Sequence, residues 1–193
     1  MQKGKSFVAP PLLFKRDKAL YFPNLWGRTL VAGEGGADTT DVLSGKVSLV
    51  GVFSGAWAEG QVAAWRLNEL GVGEEEGEDL QRVDINVEEN WIKAGLVVLF
   101  MPSIRKRLPE ERWGKYFLVR SGLSSDIRMA MAYSNSKVGY VYLLDEKCRI
   151  RWAGSGYPGD GEREAMVRGV RKLVAELKEG ELGEKVEQQA AGV

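Results

Sequence analysis

The chain predicts an α/β fold built on a parallel sheet, and three observations predict it. Val47 to Phe53 is a β-rich apolar run with little polar alternation, as a strand buried on both faces requires. Ala58 to Leu70 follows, with Val62, Trp65, Leu67 and Leu70 near helical spacing. Leu80 to Val87 then alternates apolar and polar residues, like a second strand. Strand, helix and strand in this order are the signature of a parallel sheet.

The flanking segments extend this unit into one domain over residues 21–179. Residues 1–20 have weak periodicity and contain Pro10-Pro11, so they read as an extended basic N-terminal arm. Phe22 to Leu30 reads as a short strand, a turn at Trp26-Gly27 and a second short strand. Gly33 to Thr40 is a Gly-rich polar loop, and Gly71 to Asp79 is an acidic surface loop. Lys115 to Val119 is strand-like. Ser124-Ser125-Asp126 can cap a helix that runs to Ala132. Gly139–Leu144 and Arg149–Ala153 flank the polar turn Asp145-Glu146-Lys147, which predicts a β-hairpin. Gly161 to Glu179 is an amphipathic helix with Met166, Val170, Leu173, Val174 and Leu177 on one side. Residues 180–193 are polar and read as a flexible C-terminal tail.

Composition removes several kinds of chemistry. The 193 residues include no histidine, which excludes Ser-His-Asp and Cys-His catalysis and takes away the commonest nitrogen ligand for metals. No cofactor or metal is expected. Cys148 is the single cysteine, so no intrachain disulfide can form. No apolar stretch approaches the ~20 residues that span a bilayer. The net charge is zero, and no nucleic-acid partner is expected. The charge is unevenly spread. Residues 1–30 carry six cations against Asp17, a net +5, residues 69–89 a net −8, and residues 105–120 a net +4. These are solvated loops or a means of orienting the protein on a charged partner. No apolar signal-peptide core and no intact transit peptide is legible near the N-terminus.

Lys46 to Val62 reads KVSLVGVFSGAWAEGQV, an apolar strand running into a turn that carries Trp57. This resembles the active-site turn of the thioredoxin-like fold, in which two cysteines follow the tryptophan. Ala58 and Gln61 hold those two places here. The proline that faces such a site would fall at Gly139. The approach Asp41 to Lys46 is similar to the peroxiredoxin and thiol-reductase branch of that fold. The resemblance implies a central mixed sheet flanked by helices. Trp57, Ala58, Gln61 and Gly139 are then vestigial redox positions, because disulfide exchange needs a thiolate.

A narrower resemblance covers residues 20–178. Phe22-Pro23-Asn24-Leu25, the Trp57 turn, Arg105-Lys106-x-Leu108-Pro109-Glu110-Glu111-Arg112, Gly139-Tyr140-Val141-Tyr142-Leu143-Leu144-Asp145 and Arg149-Ile150-Arg151-Trp152-Ala153-Gly154-Ser155-Gly156 together resemble the ATP10 family of mitochondrial ATP synthase assembly factors. The resemblance implies a non-catalytic chaperone. It would assist incorporation of subunit 6, the a subunit, into the membrane sector of ATP synthase. It would sit peripherally on the matrix side of the mitochondrial inner membrane. A transit peptide is expected of such a protein, which implies a trimmed chain here. The rival expectation is a divergent thiol oxidoreductase or peroxidase using Cys148, and a third is a membrane scaffold without a client.

Several residues carry two readings. Trp57 is half-buried packing or an aromatic anchor at an interface. Gln61 is a solvated residue of a first helical turn or a hydrogen-bonding group for a bound peptide. Trp91 to Leu108 is apolar on nearly every side, so it is a core helix or an exposed apolar surface with a basic rim. In the second case Leu96, Leu99 and Phe100 would meet a client or membrane, with Arg105, Lys106 and Arg107 around them. Arg149 and Arg151 share one face of a strand, with Trp152 opposite. They form an exposed basic edge or pair with client carboxylates.

Overall fold

A computed structural model describes residues 4–33, 35–66 and 79–191. Its centre is a seven-stranded sheet in the order β2-β1-β5-β4-β3-β6-β7. The strands are β1 (Trp26–Thr29), β2 (Ala37–Asp38), β3 (Val47–Phe53), β4 (Leu80–Val87), β5 (Tyr116–Val119), β6 (Tyr140–Leu144) and β7 (Ile150–Ser155). The three middle strands β3, β4 and β5 are parallel; β6, β7, β1 and β2 add antiparallel pairs at the two sides. All seven residues of β3 are buried, as a largely apolar run implies, and the buried Ser48 hydroxyl accepts from Gln81 Nε2 at 3.0 Å.

The helices are α1 (Thr39–Leu43), α2 (Gly55–Ala63), α3 (Trp91–Arg107), α4 (Ser125–Ala130) and α5 (Glu162–Ala191). Ser124 caps α4, its hydroxyl accepting from the Ile127 N–H at 3.3 Å. Two apolar clusters lie on opposite sides of the sheet. One joins α2 and α5 to β3, β6 and β7 through Val62, Trp65, Trp152, Met166 and Leu173. The other joins Phe22, Tyr133, Tyr140 and Tyr142.

Four expectations change. Trp26-Gly27 starts β1 and is not a turn, because Arg28 and Thr29 pair with Leu118 and Phe117 across the sheet. The expected Gly-rich loop contains β2 and the start of α1. Helix α2 ends at Ala63, and the Leu67–Leu70 part of the expected helix and residues 71–78 of the acidic loop lie outside the described residues. Helix α5 does not stop at Glu179 but continues through Gly180 to Ala191, where a flexible tail is expected.

Residues 4–20 of the arm form no helix or strand, turn at 16–18, and are fastened down. The Lys5 ammonium pairs with the buried Glu162 carboxylate, whose other oxygen accepts the Ala9 N–H. Phe14 donates to the Arg151 carbonyl at 2.7 Å, and Ile150 donates to the Leu20 carbonyl at 2.7 Å. The arm thus occupies the outer edge of β7 and leaves less of an open strand edge for unwanted pairing.

Candidate functional site

Strand β3 delivers the chain to Ser54, and α2 starts at Gly55 with φ +76°. The tryptophan of the turn points outward. Trp57 is 66% exposed, and its ring meets the edge of Tyr157 at 6.0 Å. It is not the half-buried packing residue of the first reading. Ala58 and Gln61 point inward, each with 0% exposure, so Gln61 is not solvated either.

The structure brings Ala58, Gln61 and Gly139 together. Gln61 Oε1 accepts the Gly139 N–H at 2.7 Å, and Gln61 Nε2 donates to the Gly4 carbonyl at 3.5 Å. A Cβ at residue 139 would lie 2.3 Å from the Ala58 carbonyl oxygen. Proline at 139 would meet that same oxygen and would also lose the N–H that Gln61 receives. Ala58, Gln61 and Gly139 therefore form an interlocked joint between α2 and β6, with the Gly4 carbonyl of the arm over it. The sequence signal was the joint presence of glutamine at a thiol position and glycine at the proline position.

Cys148 stands apart from this joint. The antiparallel register Val52↔Tyr140 through Ser48↔Leu144 puts the hairpin turn at the other end of β3, about 20 Å away. Burial pushes the Cys148 thiol up, opposed by the Ser44 hydroxyl 3.6 Å from the sulfur. A protonated thiol is a poor nucleophile.

The hairpin arginines face inward. Arg151 is 4% exposed; Nη1 donates to Asp145 Oδ2 at 3.3 Å and to Glu176 Oε2 at 3.5 Å, and Nε to the Phe14 carbonyl at 3.0 Å. Arg149 Nε donates to Asp145 Oδ2 at 2.8 Å. Trp152 is fully buried, with Nε1 donating to the Pro10 carbonyl at 2.8 Å and its ring 5.5 Å from Trp65. Gly154 lies within β7, under the Trp65 and Trp152 rings. The expectation that Arg149, Arg151 and Trp152 form a client surface is corrected. Arg151 and Trp152 are buried and tie the arm and α5 to the hairpin, while Arg149, partly buried, pairs with Asp145 and Glu146 within the turn.

Helix α3 is the opposite case. Val98, Met101, Ile104 and Leu108 pack on the core cluster. The other face stays open, with Trp91, Ile92, Leu96, Leu99 and Phe100 exposed, Leu99 at 70%. The reading as a core helix is corrected: the segment is apolar on nearly every side, and among the described residues only one face is covered. Lys106 and Arg107 are exposed at its C-terminal end, where cations complement the helix dipole. Arg105 is engaged instead, donating to the Leu30 carbonyl and lying 5.7 Å from the Trp113 ring centroid.

Sequence reading missed one polar cluster. Asp84, 4% exposed, accepts from Arg82 at 3.0 Å and from Arg112 at 2.7 Å. Beside it a cavity of about 140 Å³ is lined partly by Glu59, Arg82, Asp84 and Arg107. Desolvation raises the Glu59 carboxyl, and Arg107 opposes the rise. Only the Arg112 motif position hinted at this cluster.

A family model described as ATP10 protein matches residues 1–173. The chain belongs to the ATP10 family. A relative from Eremothecium gossypii, named mitochondrial ATPase complex subunit ATP10, is 34% identical over 178 residues, covering 89% of this chain and 65% of the relative. The protein of the same name from Saccharomyces cerevisiae is 32% identical over 193 residues, covering 89% and 66%. The chain thus spans about two thirds of the length of these ATP10 relatives. Among solved structures, a thiol:disulfide interchange protein DsbE from Chlorobium tepidum superposes with TM-score 0.54 at 14% identity, covering 83% of this chain and 99% of that one. A DsbF homologue from Corynebacterium diphtheriae gives 0.53 at 12% identity, covering 84% and 92%. These likenesses show that this ATP10 chain has the thioredoxin-like fold.

Proposed function

We propose that the protein is a non-catalytic assembly chaperone for the mitochondrial ATP synthase. It binds newly made subunit 6, the a subunit, and assists its incorporation into the membrane sector, from a peripheral position on the matrix side of the inner membrane. The single observation that carries this reading is the apolar face of α3 left uncovered among the described residues, read alongside the names of the ATP10 relatives. Contiguous exposed apolar surface on a folded domain marks an interaction site. No helix among the described residues is long and apolar enough to cross a membrane.

Leu96, Leu99 and Phe100 supply apolar contact, Trp91 and Trp57 supply aromatic anchors, and Lys106 and Arg107 approach anionic headgroups. A chaperone must also release its client. Binding to an apolar patch does this when the client's own surface is taken by its assembled neighbour. The burial of Cys148, and its distance from the α2 joint, weigh against the thiol-enzyme reading.

A photo-crosslinking residue at Leu99, introduced into the full-length protein in mitochondria, tests the proposal. Crosslinks are expected to subunit 6 in excess over other newly made membrane subunits. Equal capture of all of them would sink it.

A further inference from the structure

Helix α4 has only six residues, and it covers one end of the β6–β7 sheet face. The arm crosses the rest of that face without filling it. A cavity of about 500 Å³ is left between arm and sheet, walled by Phe7, Phe14, Leu20, Met131, Tyr142 and Ile150. This volume lies within the ~300–1,000 Å³ usual for small-molecule sites. We propose that the cavity binds the hydrocarbon chain of a single-chain anionic amphiphile, a long-chain fatty acid, with its carboxylate held by Lys15 and Lys18.

The lining selects this chemistry. Among the described lining residues the one side-chain hydroxyl, on Tyr142, already donates to the Met131 carbonyl at 2.9 Å. Lys15 and Lys18 can only donate, so a peptide entering the cavity would find the Tyr142 hydroxyl as the one described side-chain oxygen for its N–H groups, and burying the others unpaired is costly. A hydrocarbon chain carries no such groups. Val8, Phe14 and Leu20 on the arm are exposed at the opening, so part of the apolar wall already faces solvent. The charged side chains in the lining are the exposed lysines Lys15 and Lys18, both cationic. Lys18 lies 3.8 Å from the exposed Asp17, a contact worth little in water, so its charge remains available to an anionic head. The site lies on the face of the sheet away from α2, and it is independent of the chaperone reading.

The purified full chain, stripped of lipid, is titrated with oleate, with oleyl alcohol, and with dioleoyl phosphatidylglycerol vesicles. Saturable one-to-one oleate binding is expected, roughly four- to twenty-five-fold tighter than oleyl alcohol, from about two- to fivefold per lysine. Lys15→Gln combined with Lys18→Gln should erase that preference. Ala153→Phe fills the cavity from the sheet and should abolish binding. Should that variant not fold, Ala19→Trp closes the cavity from the arm. Oleate binding that survives cavity filling in a folded variant overturns the proposal. Equal affinity for acid and alcohol overturns it too, as does association with vesicles alone.

Discussion

The α2 joint and helix α3 were both candidate sites, and they have reached opposite states. At the joint every polar group is engaged: Gln61 spans from Gly139 to Gly4, and Ala58 lies against Gly139 with no room for a Cβ. On α3 one face is packed, while Leu96, Leu99 and Phe100 stand in solvent with nothing over them among the described residues. The α2 turn is part of the scaffold, and the exposed apolar surface lies instead on α3. The inward Gln61 serves packing and hydrogen bonding at the joint.

The sharpest way to break this comparison is to reopen the joint. Gly139→Pro removes the N–H received by Gln61 and drives the ring toward the Ala58 carbonyl. An unsatisfied buried acceptor costs ~1–3 kcal/mol and overpacking a similar amount, so the variant should lose about 4 kcal/mol. For a chain of this size that is a fall in Tm of roughly 8–16 °C by circular dichroism. A variant as stable as the parent would mean that the joint is slack and the contrast with α3 is false.

The difference between the two regions was only half legible in the sequence. β3, β4 and the β6–β7 hairpin were readable because their apolar runs and turn residues are local signals. β1 was not, because Trp26-Gly27 resembles a turn until β5, nearly ninety residues on, supplies its partner. At the joint, the positions Ala58, Gln61 and Gly139 were readable and their burial was not, since it depends on a contact across 78 residues. In α3 an apolar residue stands at nearly every angle, so periodicity could not say which face turns inward. Arg149 and Arg151 looked like an exposed basic edge because Asp145, Glu176 and the arm's Phe14 meet them only in the folded chain.

The arm connects to the comparison, because Gly4 sits over Gln61 while Lys5 holds Glu162. Burial alone would raise the Glu162 carboxyl. Hydrogen bonds from Lys5 and from the Gly159 and Ala9 N–H groups outweigh burial and hold it below the usual carboxylate range. A group depressed in the folded state stabilises it above the unfolded pKa and loses that contribution as pH falls through the folded one. Arm docking should therefore weaken below about pH 4, visible as faster proteolysis within residues 4–20. Glu162→Gln should flatten that pH response and leave Lys5 buried without its counter-ion, at a cost of about 3 kcal/mol. A pH response of the same size in the variant would assign it to another carboxylate.

The smallest effect on stability is expected where the effect on binding is greatest. Leu99→Glu combined with Phe100→Glu alters two exposed side chains on the open face of α3. Surface changes of this kind usually stay within ~0.5 kcal/mol each, so Tm should move by no more than a few degrees. The same double change puts two charges into the apolar patch, and a client or bilayer contacting it would have to bury them unpaired. Capture of membrane-sector subunits, or retention on inner-membrane vesicles, should then be lost from a protein that is still folded. The opposite pattern, a large fall in Tm with binding intact, would mean that α3 packs against the domain through this face as well. The contrast between a sealed joint and an open helix would then disappear, and with it the reason for placing the interaction surface on α3.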